Sequence, residues 1–164
     1  MMRETGAHMI KIEGGVRIAP RIRALVNAGI PVMAHIGFTP QSVNALSGFK
    51  VQGRGAGADQ LRADAHAVAD AGAAAVVLEM VPADLATEIT RELSIPTCGI
   101  GAGNQCDGQV LVWQDAFAVP ADGRRPSFSS VFEEVGEMLT KGAKQYVDQV
   151  HSREFPTEAQ NFSG

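Results

Sequence analysis

Two kinds of segment alternate along the chain. The first is short, apolar and rich in β-branched residues, with glycine or proline at its borders. It occurs at 9–14 (MIKIEG), 30–37 (IPVMAHIG), 74–81 (AAVVLEMV), 95–103 (IPTCGIGAG) and 110–117 (VLVWQDAF). Near-continuous apolar runs of this length fit the buried strands of a parallel sheet. The second kind repeats apolar residues at helical spacing. Residues 16–29 do so and stop at Gly29. Residues 58–72 place Leu61, Ala65, Val68 and Ala69 on one stripe and stop at Gly72. Residues 82–94 open on Pro82, a good first-turn residue, and carry Leu85, Ile89 and Leu93 four apart. Residues 127–152 form a long amphipathic pattern, with Gly136 and Gly142 as candidate breaks.

The resulting order is strand, helix, strand, long loop, helix, strand, helix, strand, short loop, strand, helices. Such a βα series predicts an α/β fold on a parallel sheet. Two connections have unusual lengths. Residues 37–57 carry glycine and proline signals over a long stretch, and a loop that long in a compact domain is usually functional or mobile. Only about nine residues separate the strands ending near Ile100 and starting near Val110. A parallel crossover normally takes about a dozen or more, so this link holds at most a turn or two of helix.

Composition narrows the class. The chain has 164 residues, 45% apolar and 20% charged, which are ordinary globular values that disfavour disorder or fibrous repeats. The formal charge is −4, without the basic surplus of a nucleic-acid binder. No apolar run approaches the roughly 20 residues of a membrane span. The N-terminal residues lack the apolar core of a signal peptide. Cys98 and Cys106 form neither a CxxC pair nor a disulfide framework. A soluble chain in a reducing, cytoplasmic setting is the expectation, with no nucleic-acid or membrane partner. Eighteen glycines against 5% aromatics point to tight loops where backbone approaches a ligand.

Active residues of parallel α/β folds gather at the C-terminal ends of strands. The first strand ends in Lys11-Ile12-Glu13-Gly14-Gly15, and alternation puts Lys11 and Glu13 on one face. Inside a barrel that pair is costly unless it is paired, metal-bound or ligand-bound; a structural ion pair is the plain alternative. The second strand ends in Ala34-His35-Ile36-Gly37, where His35 is either a satisfied core histidine or a site residue. The third ends at Glu79, directly after the apolar run 73–78. A carboxylate there is buried with a raised pKa, coordinated, or structural, and the first state suits general acid–base work. The fourth strand runs into Gly99–Asn104, which holds GxGxG but lacks the second βαβ half of a dinucleotide fold; a glycine loop offering N–H groups to an anion fits better. Asp115 is either a site residue or a loop cap. His8, His66 and His151 form no zinc-like spacing. A carboxylate-rich set instead suits an oxygen-loving cation such as Mg²⁺.

The segments KIEGG (11–15), IPVMAHIGFTPQSVNALSGFKVQGRG (30–55), VVLEMVP (76–82), IPTCGIGAGNQCDGQVLVWQDAF (95–117) and FPTEAQNF (155–162) resemble the ketopantoate hydroxymethyltransferase family. The resemblance covers essentially the whole chain. It implies a (β/α)8 TIM barrel, of which the five strands here match the last five: a partial barrel over 1–152, with a tail over 153–164. It implies hydroxymethyl transfer from 5,10-methylenetetrahydrofolate to 3-methyl-2-oxobutanoate, giving 2-dehydropantoate for pantothenate and coenzyme A synthesis, with Mg²⁺ assisting the enolate. By resemblance Glu79 is the proton acceptor, Glu13 the acidic residue of the metal site, Lys11 a keto-acid ligand and His35 a residue of the substrate-binding face. The family's three preceding βα units carry two aspartates of the metal site and a serine of the keto-acid site, and have no counterpart in these 164 residues. A large homo-oligomer, often a decamer, or a complementary N-terminal fragment is the implied partner.

Two other classes stand beside this one. One is a non-catalytic remnant or association module, motivated by the absent metal aspartates. The other is a Mg²⁺-enolate barrel enzyme of the phosphoenolpyruvate-utilising type, against which the TPQS (39–42) and QGRG (52–55) segments speak.

Overall fold

The computed structural model describes residues 2–44, 48–119 and 123–162. Part of the long loop, residues 45–47, and the last residues of the tail, 163–164, lie outside the described residues. The chain forms two compact units, Met1–Val110 and Leu111–Gly164.

The first unit opens with a single helical turn, α1 (Met2–Thr5), and then alternates strand and helix. These are β1 (Ile10–Glu13), α2 (Ala19–Asn27), β2 (Val32–Gly37), α3 (Gly57–Asp70), β3 (Ala75–Glu79), α4 (Ala83–Glu92), β4 (Thr97–Ile100) and β5 (Gly108–Gln109). All five strands pair in parallel, in chain order. This is the α/β sheet of a partial barrel. Alternation along the strands then sorts the side chains. Ile12, Val32, Ala34, Ile36, Val76 and Leu78 face the helices, where Ile22, Leu61, Ala65, Val68, Leu85, Ala86 and Ile89 close the core. Burying each large aliphatic side chain contributes about 1.5–3 kcal/mol, so this layer dominates the unit's stability. The other face carries Lys11, Glu13, His35, Val77, Glu79 and Cys98.

Between β4 and β5 run only residues 101–107, with no helix. The link closes through one carboxylate. Asp107 Oδ2 accepts the Thr97 N–H at 2.8 Å and the Thr97 hydroxyl at 3.1 Å. Thr97 Oγ1 in turn accepts the Asp107 N–H at 3.3 Å and lies 2.9 Å from Thr90 Oγ1 of α4. Thr97 is buried, so its donors have no water to fall back on. Asp107→Ala is therefore expected to destabilise the first unit by about 2–3 kcal/mol, the range for losing a charged acceptor of buried donors. Urea unfolding checks this; a change below about 0.5 kcal/mol would show that the clamp is dispensable.

The second unit holds α5 (Trp113–Ala116), α6 (Val135–Ser152) and a 3-10 turn at Glu158–Gln160. That turn begins with a capping box: the Thr157 hydroxyl accepts the Ala159 N–H, and Gln160 Oε1 accepts the Thr157 N–H. The expected strand over 110–117 is not formed. Its place in the sheet is taken by the two residues of β5, and 113–116 are helical. Apolar content signals burial, and a run this short does not distinguish strand from helix. The long helix begins at Val135 rather than at 127. Ser127, Ser129 and Ser130 precede it, and serine hydroxyls compete with helical bonding. Gly142 does not break α6, which runs unbroken to Ser152. Among the described residues, no helix is long and apolar enough to cross a membrane.

Candidate active site at the strand ends

Register brings four candidate residues together. Glu13 on β1 is the direct neighbour of His35 on β2, and Glu79 on β3 sits level with Gly37, two residues beyond His35. All three side chains and Lys11 rise from one face of the sheet, near the C-terminal ends of three adjacent strands. Lys11 Nζ lies 3.1 Å from Glu13 Oε1 and 3.1 Å from His35 Nδ1. His35 Nε2 lies 3.0 Å from Glu79 Oε2. That separation is short, but its angle is not that of a hydrogen bond, and Nε2 has no hydrogen-bond partner among the described residues.

The histidine tautomer follows from its neighbours. A lysine ammonium can only donate, so Nδ1 accepts and the ring proton sits on Nε2, on the side of Glu79. The His35 side chain is 5% exposed and that of Glu79 14%, whereas Lys11 keeps 46%. Lys11 thus retains N–H groups for an incoming anion while one of them orients the imidazole.

The backbone around Glu79 is unusual. Met80 directly after it has φ +50°, a left-handed conformation that costs a non-glycine residue about 1 kcal/mol or more. The turn is held because the Met80 N–H donates to Ile100 O and Met80 O accepts the Gln52 N–H, both at 2.9 Å. The Phe38 N–H donates to Glu79 O at 2.8 Å. The exit of β2 and the long loop therefore both grip the strand end that carries Glu79.

Glu13 is held on both oxygens. Oε1 faces Lys11, and Oε2 accepts the backbone N–H of Gln41 at 3.1 Å from the Pro40–Ser42 turn. The TPQS segment thus acts through its main chain, a contact without a side-chain signature in the sequence. Among the described residues no group of three or more His, Cys, Asp or Glu converges as metal ligands. Mg²⁺ takes about six oxygen ligands. Glu13 supplies one carboxylate, so the described residues do not by themselves make a Mg²⁺ site.

Other candidates fall outside the cluster. A Cβ at Gly103 would lie 2.6 Å from Ala83 Cβ, and one at Gly99 would lie 3.0 Å from Cys106 Sγ. These glycines serve close packing of the loop onto its neighbours, which accounts for them without an anion. Asp115 lies in the first turn of α5 in the second unit. His66 pairs with Glu92 on the outer surface of α3 and α4. The His66 hydrogen bond, then the Arg62 charge, hold the Glu92 carboxyl below its usual range. Arg62 also bonds Glu88. Burial, with Cys106 beside it, pushes the Cys98 thiol up, away from the thiolate a nucleophile needs.

Comparison with known proteins gives one consistent result. The family model for ketopantoate hydroxymethyltransferase matches residues 1–158. A 3-methyl-2-oxobutanoate hydroxymethyltransferase of Corynebacterium jeikeium is 64% identical over 162 residues, which are 99% of this chain and 57% of that protein. The protein of the same name from Corynebacterium efficiens is 60% identical, over 99% of this chain and 60% of its own length. One from Mycobacterium sp. (strain KMS) is 58% identical, over 98% and 57%. The chain spans less than two thirds of the length of these relatives.

Proposed function

The chain belongs to the ketopantoate hydroxymethyltransferase family, and from that premise we propose that it takes part in hydroxymethyl transfer from 5,10-methylenetetrahydrofolate to 3-methyl-2-oxobutanoate, giving 2-dehydropantoate. The observation that carries the proposal is the Lys11–His35–Glu79 cluster, with Glu13 beside it, at adjoining strand ends.

The chemistry requires a base for the proton on C3 of the keto acid. Glu79 is the base: a carboxylate, mostly withdrawn from water, at the end of β3. Its Oε2 takes the C3 proton, and the electron pair of the broken C–H bond moves into the C2–C3 bond of the enolate. C3 then bonds to the methylene carbon of the folate. Both of that carbon's C–N bonds break in the overall transfer, water supplies the hydroxyl oxygen, and the C3 proton and one water proton end on the two nitrogens of tetrahydrofolate. His35, oriented by Lys11, holds its Nε2 proton beside Glu79. Lys11 uses its remaining N–H groups for the substrate carboxylate, a charge-assisted contact. If a divalent cation binds, Glu13 would offer it one carboxylate, and such an ion would polarise the keto-acid carbonyl. The partners are the keto acid, the folate donor and further copies of the chain.

A second reading is an association module without turnover; what motivates it is that, among the described residues, no group of three or more His, Cys, Asp or Glu gathers to hold a metal. One measurement separates the two. In D₂O, a chain with this activity exchanges the C3 proton of 3-methyl-2-oxobutanoate above the buffer rate, even without folate. Proton NMR of the C3 signal reads the exchange. Exchange at the buffer rate, with the chain alone and with a supplied N-terminal fragment, would sink the catalytic reading.

A further inference from the structure

A cleft of about 640 Å³ starts at Glu13 and runs over Gly14 and Gly15 between the start of α2 and the first turns of α3. Its walls include Arg17, Arg21, Ser42, Gln60 and Asp64. The two carboxylates in it are already occupied by donors. Asp64 Oδ1 accepts the Val16 N–H at 2.8 Å and Gln60 Nε2 at 3.2 Å. Glu13 accepts Lys11 and the Gln41 N–H. Gly15 makes room for this arrangement, since a Cβ there would lie 2.0 Å from Asp64 Oδ1. The two arginines are in the opposite state. Both are exposed, and neither has a hydrogen-bond or ion-pair partner among the described residues. The cleft thus offers two forked guanidinium donors without acceptors, on a path that opens beside the reacting cluster.

We propose that this cleft is a subsite for the carboxylate-bearing end of the one-carbon donor, with Arg17 and Arg21 binding its glutamate carboxylates; this rests on the folate-dependent reaction proposed above. The reasoning is chemical. A guanidinium fork matches a carboxylate in two-point geometry, and the donor has a reactive ring at one end and a glutamate at the other. With the ring beside Glu79, an elongated ligand leaves over the rim, and the Glu13 side of that rim opens into this cleft.

Calorimetric titration with two probes tests the assignment: tetrahydrofolate, and tetrahydropteroate, which lacks the glutamate. The unaltered chain is expected to bind tetrahydrofolate about tenfold more tightly, as suits charge-assisted pairing at a partly exposed site. The Arg17→Glu/Arg21→Glu chain should bind both alike. Arg17→Gln/Arg21→Gln should give the same collapse without charge reversal, and circular dichroism checks the fold of both. Equal binding of the two probes by the unaltered chain, or a preference that survives in the variants, overturns the subsite. The C3 exchange assay reads the reaction separately. Exchange without a tetrahydrofolate preference discards the cleft and keeps the reaction; a preference without exchange keeps the ligand and discards the reaction.

Discussion

Glu79→Gln is expected to lower C3 proton exchange on 3-methyl-2-oxobutanoate by about 10²- to 10⁴-fold, the usual contribution of a positioned general base. The substitution keeps the shape of the side chain and removes its capacity to take a proton. Little else should change. Glu79 is the last residue of β3, and its strand is held through main-chain bonds from Phe38 to Glu79 O and from Met80 to Ile100 O. The amide oxygen of glutamine can still lie against His35 Nε2. The thermal midpoint should therefore move by only a few degrees, which separates a chemical defect from a folding one. The same variant distinguishes Glu79 from Glu13. Loss of Glu13 frees Lys11 and the Gln41 N–H, so Glu13→Gln disturbs the site's geometry as well as its charge. If Glu79→Gln retains exchange within tenfold of the unaltered chain, Glu79 is not the base.

Half of this site could be seen in the sequence, because half of it depends on local periodicity. Lys11 and Glu13 share a face since a strand repeats every two residues, and Glu79 stands out by following an unbroken apolar run. What joins them is not local. His35 meets Glu13 only because β1 and β2 pair with those residues in register, and that register depends on how α2 returns the chain. The Gln41 contribution is a main-chain N–H, which every residue but proline possesses. Arg17, Arg21 and Asp64 read as ordinary polar positions on helices, and their shared cleft appears only when α2 and α3 lie side by side. The short strand β5 was obscured for a related reason. Its two residues, Gly108 and Gln109, have little apolar content, while the run just after them, 110–117, carries the strand-like apolar pattern. The glycine-rich loop after β4 showed the converse ambiguity, since glycine marks close packing as readily as ligand approach.

Gly37→Ala is expected to destabilise the first unit by about 3–5 kcal/mol. Gly37 ends β2 opposite Glu79, with φ +87°. A Cβ there would lie 2.3 Å from Glu79 O and 2.9 Å from Val81 Cγ2. The first contact is with backbone, so no rotamer change relieves it. Either β2 loses its pairing with the end of β3, or the Glu79 carbonyl moves and breaks its bond from the Phe38 N–H. The left-handed conformation costs about 1–3 kcal/mol for a non-glycine residue, and overpacking adds a similar amount. A total of about 3–5 kcal/mol lowers the midpoint of a unit this size by roughly 10 °C or more. Gly29→Ala is the control. Gly29 also has positive φ, +77°, but its Cβ would meet nothing within 4 Å, so it should lose only the conformational part. The difference between the two variants measures the clash at the Glu79 carbonyl. Residual folded Gly37→Ala chain should also have lost most of its C3 exchange, because the displaced carbonyl belongs to the proposed base. Equal midpoints for the two variants would show that the β2 exit can move without disturbing β3. The close approach of Gly37 would then have no part in placing Glu79.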